Sequence, residues 1–182
     1  MMRYAEDKVK TNGIDYYRLE ENDRIGKNVY AARSARIGGE ASIGDGTRIG
    51  EGACIGNGAC IGDSARIGDG ARVGSGAHIG NGTRIGEGAC IGDEASIGDE
   101  VSIGNGAKIG SWAGIGDEGE IGDGAKIDGG VRIEEGARIG NGVRIRSGTE
   151  IGNRICIDVR IFCDSVQVDA GFLACMPDRW AG

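Results

Sequence analysis

Residues 41–58 read ASIGDGTRIGEGACIGNG, three consecutive hexapeptides in which a small residue, a variable residue, isoleucine, glycine, a polar residue and glycine follow in order. Isoleucine returns at every sixth position from Ile37 to Ile157, twenty-one positions without an insertion, and Val73 is the single departure. A repeat this strict describes a stack of equivalent units rather than a globule around one central core. Alternation along a strand sends Ile43 and Ala41 to one side and Ser42 to the other, so Ile and Ala form the interior and the residue between them faces out. The Gly-Asp-Gly or Gly-Asn-Gly that follows suits a sharp corner, since Gly and Asn tolerate left-handed backbone angles at little steric cost. The expected rhythm is strand, corner, strand, corner.

Composition narrows the reading. Of 182 residues, 38 are glycine and one is proline, and the glycines alternate at spacings of two and four, which excludes a collagen triple helix. Twenty-eight acidic against 21 basic residues leave a net charge of -7, which argues against duplex nucleic acid as a partner. The start, MMRYAEDKVK, carries charges where a secretion signal has its apolar core, and no run approaches the roughly 18 apolar residues of a membrane span. A cytoplasmic protein is the expectation. The six cysteines read as reduced thiols, because the period puts Cys54 and Cys60 on different faces and Cys54 and Cys90 two layers apart.

Three segments follow from where the period holds. Residues 1–24 read as an N-terminal cap, with Asn12-Gly13 as the turn of a hairpin between short alternating strands. Residues 25–163 are the repeat body, with Cys163 in the isoleucine slot after Ile157. Residues 164–182 are a C-terminal cap in which Val166, Val168, Phe172, Leu173 and Trp180 supply apolar cover for the last layer.

The hexapeptides resemble the hexapeptide-repeat family, whose signature is an aliphatic residue, a small residue, two variable positions, a small residue and another variable one. The resemblance implies an all-β chain folded as a left-handed parallel β-helix, a triangular solenoid with three hexapeptides per coil, commonly assembled as a homotrimer. The left hand comes from the family, since parallel crossovers are otherwise right-handed. Twenty-one units then make seven regular coils, a prism about 34 Å long. The chain also loosely resembles small hexapeptide-rich proteins of phages and prophages.

With 18 residues per coil, outward residues 18 apart stack in three columns. Arg36, Cys54, Arg72, Cys90, Lys108, Lys126 and Arg144 form a basic one. A second, Ser42, Cys60, His78, Ser96, Gly114, Arg132 and Glu150, begins with small or neutral residues, and the first five are the expected subunit interface. On the third, Arg48, Arg66 and Arg84 occupy consecutive layers above Ser102, Glu120, Arg138 and Cys156. Forked guanidinium donors suit phosphates and carboxylates, so these three arginines and the corner residue Trp112 are the expected contacts for an anionic small ligand, a nucleotide among the candidates, or for a protein partner. Acidic corners flank the arginine column, Asp45, Asp63, Asp99, Asp117 and Glu135 on one edge and Glu51, Asp69, Glu87 and Asp123 on the other. Solvated ion pairs are the plain reading of those edges.

Other chemistry is weakly supported. The resemblance implies acyltransferases in which a histidine is general base under an extruded loop. Here there is one histidine, His78, and no extruded loop, so His78 stands as the base of a minimal acyltransferase or as an ordinary outward residue. The related gamma-type carbonic anhydrases bind zinc through three histidines, which one histidine per chain cannot supply in the same way, and no CxxC replaces them; no metal or cofactor is expected. Segments such as Gly44–Gly50 match GxGxxxG only because the repeat imposes it. Two functional expectations compete with acyl transfer. One is a non-catalytic oligomeric scaffold whose ladders bind a ligand or partner in inter-subunit grooves; the other is a passive spacer.

Overall fold

A computed structural model describes residues 4–11, 14–20, 22, 24–157, 162–163 and 167–168. Among these every regular element is a strand. From Arg36 to Ile157 the strands are pairs of residues, the outward residue and the isoleucine or valine after it, separated by corners. From Arg36–Ile37 to Arg144–Ile145 each pairs in parallel with the strand 18 residues on, so that Ser42 stands beside Cys60, Cys60 beside His78 and His78 beside Ser96, while Glu150–Ile151 pairs with Gln167–Val168, 17 residues on. Three sheets result, one of ten strands and two of eight. The chain is a left-handed parallel β-helix of triangular section, and the three outward columns are its three faces.

The interior is the file of isoleucines and small residues. Ile43, Ile49, Ile133, Ile145 and Ile151 are fully buried, as are Ala53, Ala59 and Ala65. Each buried Ile contributes roughly 1.5–3 kcal/mol. Thr47 and Thr83 replace alanine in this interior, and each satisfies its hydroxyl by donating to a carbonyl, Gly62 and Gly98 respectively, at 2.9 Å.

Corners explain the two glycines of the repeat separately. The first lies against the next coil, so that a Cβ on Gly44 would meet the Asp63 backbone nitrogen at 2.6 Å. The second carries the left-handed turn, with φ of +69° at Gly46. Eight non-glycine residues accept the same turn, among them Glu94, Glu100 and Trp112.

The N-terminal strands β1 (Tyr4–Thr11) and β2 (Ile14–Leu19) pair antiparallel, with Thr11 opposite Ile14. β2 then pairs antiparallel with β3 (Tyr30–Ala32), and β3 lies parallel to the strand Arg48–Ile49. The hairpin thus continues the sheet of the arginine face and no other. Ile25 bridges to Ile43, and Cys163 pairs with Ile145, in register with the isoleucine file. Of the apolar residues expected to cover the C-terminal end, Val166, Phe172, Leu173 and Trp180 lie outside the described residues, and Val168 belongs to the strand Gln167–Val168 beside Glu150–Ile151.

Candidate functional site

On the arginine face, parallel register sets Arg48 beside Arg66 and Arg66 beside Arg84, with Tyr30 before the first and Ser102 after the last. Neighbouring rungs are therefore about 4.8 Å apart along the axis. All three side chains are exposed, and none forms an ion pair with a described residue. Lower on the same face the pattern changes: Arg138 pairs with Glu120 at 3.3 Å. Elsewhere Arg144 approaches Asp128 at 3.8 Å and Arg154 reaches Glu135 at 3.5 Å.

Aspartates and asparagines of the flanking corners accept hydrogen bonds from the backbone. Along one edge the Asp45 backbone N–H donates to Asp63 Oδ1 at 2.7 Å, Asp63 N–H to Asn81 Oδ1 at 2.8 Å and Asn81 N–H to Asp99 Oδ1 at 2.6 Å. On the other edge the Glu51 N–H donates to Asp69 Oδ1 at 2.7 Å and the Glu87 N–H to Asn105 Oδ1 at 2.8 Å. Asp and Asn reach back one coil to satisfy a corner amide that has no strand partner. Solvated ion pairing on these edges is seen at Glu135, which Arg154 reaches at 3.5 Å, whereas Asp63, Asp69 and Asp99 accept backbone N–H groups. Asn does this as well as Asp, so charge is secondary.

The arginines line a groove of about 250 Å³ together with Tyr16, Gly50, Gly68 and Gly86. Tyr16 was invisible to sequence reasoning as a site residue. A hairpin is readable from Asn12-Gly13, but which of three equivalent sheets it extends is decided by packing at the first coil. Burial, then the nearby Asp69 carboxylate, push the Tyr16 hydroxyl pKa upward, partly opposed by Arg48. Beside it, the guanidinium of Arg33 lies 4.8 Å from the Tyr17 ring centre, a cation–π contact that helps hold the hairpin in place.

The face of Ser42, Cys60, His78, Ser96 and Gly114 holds a larger, shallow trough of about 630 Å³. His78 and Cys60 are both exposed there and adjacent in register. Asp63, Asn81 and Asp99 form one rim and Arg24 closes the N-terminal end. The column is flat from Ser42 to Gly114, apart from the imidazole.

Trp112 does not join the arginines. It occupies the corner between the Lys108 and Gly114 strands, across the triangle from the arginine face, with 71% of its surface exposed and φ at +63°. Cys54 and Cys90 are separated by Arg72 on their column, and Cys60 lies on another, so these three described thiols are not neighbours. No three His, Cys, Asp or Glu among the described residues are grouped to hold a metal. Nor is any described helix long and apolar enough to cross a membrane.

A family model described as bacterial transferase hexapeptide (six repeats) matches residues 46–81, 82–117 and 119–153. The chain belongs to the bacterial transferase hexapeptide family. No curated protein matches it. Among solved structures, this hexapeptide chain is similar to a hexapeptide transferase family protein from Anaplasma phagocytophilum, at 25% identity over 69% of this chain and 72% of that one, with a TM-score of 0.40. It is similar to an N-acyltransferase from Bacillus cereus in complex with dTDP and coenzyme A, at 16% identity over 69% and 76% of the two chains, TM-score 0.45. A third is the UDP-N-acetylglucosamine O-acyltransferase of Moraxella catarrhalis, at 20% identity, TM-score 0.34, over 74% of this chain and 62% of that enzyme.

Proposed function

We propose that this hexapeptide-repeat protein is a cytoplasmic homotrimeric scaffold, non-catalytic, that binds an anionic small ligand on the Arg48–Arg66–Arg84 ladder. One observation carries the reading: three guanidiniums stand on consecutive coils without a carboxylate partner among the described residues, while the neighbouring aspartates are held by backbone amides. Stacked like charges repel, and among the described residues no ion pair offsets that repulsion at these rungs. An anion would. The subunit interface belongs on the face of Ser42, Cys60, His78, Ser96 and Gly114, whose small side chains allow a neighbour to approach closely. Trp112 borders that face, beside Gly114, and serves as a contact for a partner subunit or protein. The test is anion binding by calorimetry at fixed ionic strength. Replacement of Arg66 by Ala should weaken it about tenfold or more, as loss of a charge-assisted hydrogen bond does. Unchanged binding would remove the ladder from the function.

A second reading rests on His78. The family is named for transferases, and His78 lies exposed in the larger trough beside Cys60. An imidazole there is available as general base for acyl transfer, with enclosure supplied by a neighbouring subunit against the small-residue face. His78→Ala should then abolish turnover of an acyl donor while leaving anion binding on the arginine face intact. Equal turnover by the variant would dismiss it.

A further inference from the structure

The geometry points to a linear oligophosphate, two or three phosphates in single file, as the anion that the Arg48–Arg66–Arg84 ladder takes, with the Tyr16 hydroxyl at one end of the row. This inference rests on the anion-binding reading above and names its ligand class. Four observations carry it.

The first is width. The strip of positive charge is one guanidinium wide, because Asp45 and Asp63, with the neutral Asn81 beside Arg84, run along one side and Glu51, Asp69 and Glu87 along the other. A broad polyanion laid across the face would meet both carboxylate rows, whereas a single file of phosphates meets only the arginines. The second is length. Register gives three rungs and then stops: Tyr30 precedes Arg48, while Ser102 and the already paired Glu120 follow Arg84. Two intervals of the strand spacing span only about 10 Å, which suits a short phosphate chain and not a polymer. The third is the donor set. Each guanidinium offers a planar fork for two phosphate oxygens, and three such forks on long side chains can converge on a short phosphate chain, which presents more oxygens than one carboxylate.

The fourth is the end of the groove. Tyr16 lines it with Arg48, Arg66 and Arg84, on a floor of Gly50, Gly68 and Gly86 that lets the ligand approach the backbone. Its hydroxyl, whose pKa burial and Asp69 push up from the ordinary value of 10.0, is a donor to a terminal phosphate oxygen. Glu51 lies close to the same hydroxyl, so the groups facing it are Arg48 on the attractive side and Asp69 and Glu51 on the repulsive side.

The source of the phosphate row, free or attached to a nucleoside, is separated by the choice of probe. Titrations of the full chain with orthophosphate, pyrophosphate, tripolyphosphate, ATP and acetate would be run at constant ionic strength, with folding followed by circular dichroism. Affinity should rise about tenfold or more from orthophosphate to tripolyphosphate, since a longer phosphate chain brings more charge and more oxygens within reach of the three guanidiniums. Arg66→Ala should remove most of that rise, and Arg66→Lys should restore only part of it. Arg138→Ala, at a pair outside the groove, should leave it unchanged. ATP binding like tripolyphosphate would assign the free chain; ATP binding tighter, with the gain lost in Tyr16→Leu, would assign a nucleotide, and either supports the inference. Orthophosphate or acetate binding as tightly as tripolyphosphate, with Arg66 still required, would overturn the oligophosphate class while leaving an anion ladder standing. Failure of every anion to bind a folded chain would overturn both readings.

Discussion

Trp112 is the residue at which local energetics and exposure disagree most. Its φ of +63° is the left-handed region, which costs a bulky side chain roughly 1–2 kcal/mol, and 71% of its surface stays in solvent. In the same corner of the following coil, Gly130 makes the same turn with φ at +70°. Trp112→Gly is therefore expected to stabilise the isolated chain by about 1 kcal/mol in chemical denaturation, less what glycine adds in unfolded-state entropy. A destabilised variant would mean that the indole packs on its own coil after all. Tyr16 gives a second residue-scale prediction, set by linkage. Its folded pKa lies above the unfolded value, so the folded state holds the proton more tightly and the stability so gained is present below the phenol's ordinary value of 10.0. It is lost as pH rises through the folded pKa. Wild type should lose more stability than Tyr16→Phe between neutral pH and pH above about 10, and parallel curves for the two would show the phenol to be solvated.

At the scale of the elements, the corner decides what was readable and what was not. The isoleucine file and the three outward columns follow from one period of six and a coil of 18, because inward and outward alternate strictly along a two-residue strand. Arg48, Arg66 and Arg84 were readable as neighbours on that basis. The role of the acidic corners was not, because an aspartate after glycine can face water or a backbone amide, and only the closeness of the next coil decides. Gly44 is part of the same fact: with no Cβ it lets the following corner approach until Asp63 Oδ1 reaches the Asp45 amide at 2.7 Å. The hairpin was readable too, but not the sheet it joins, which is why Tyr16 escaped notice and why Trp112 could be grouped with arginines that lie across the prism. The corner account makes its own prediction. Asp63→Asn keeps the acceptor and should leave the melting temperature nearly unchanged, as Asn81 in the next coil already shows the amide to be adequate. Asp63→Ala leaves the Asp45 N–H without its partner and should cost about 1 kcal/mol. If the two variants melt alike, the carboxylate matters only as charge.

The whole molecule is a register device, since its function depends on which residues share a face and its stability depends only on which share the interior. These two requirements can be separated by deletion. Removing residues 67–72 takes out one hexapeptide, so every later isoleucine still meets an isoleucine and the prism should fold one strand shorter. Outward residues after the cut move to the next face. Arg48 and Arg66 remain stacked, but Cys90 falls beneath them and Arg84 moves under Cys60 in place of His78, which breaks the ladder and puts a charge into the small-residue face. Removing residues 103–120 instead deletes a complete coil below the ladder and returns every later column to its own face. Both proteins should show the same cooperative unfolding. The first should lose anion binding by calorimetry and sediment as a smaller species than wild type, while the second should bind as wild type does. Equal binding by both would mean that the ladder is passive, and the prism would then be a spacer whose outward residues serve only to keep it in solution.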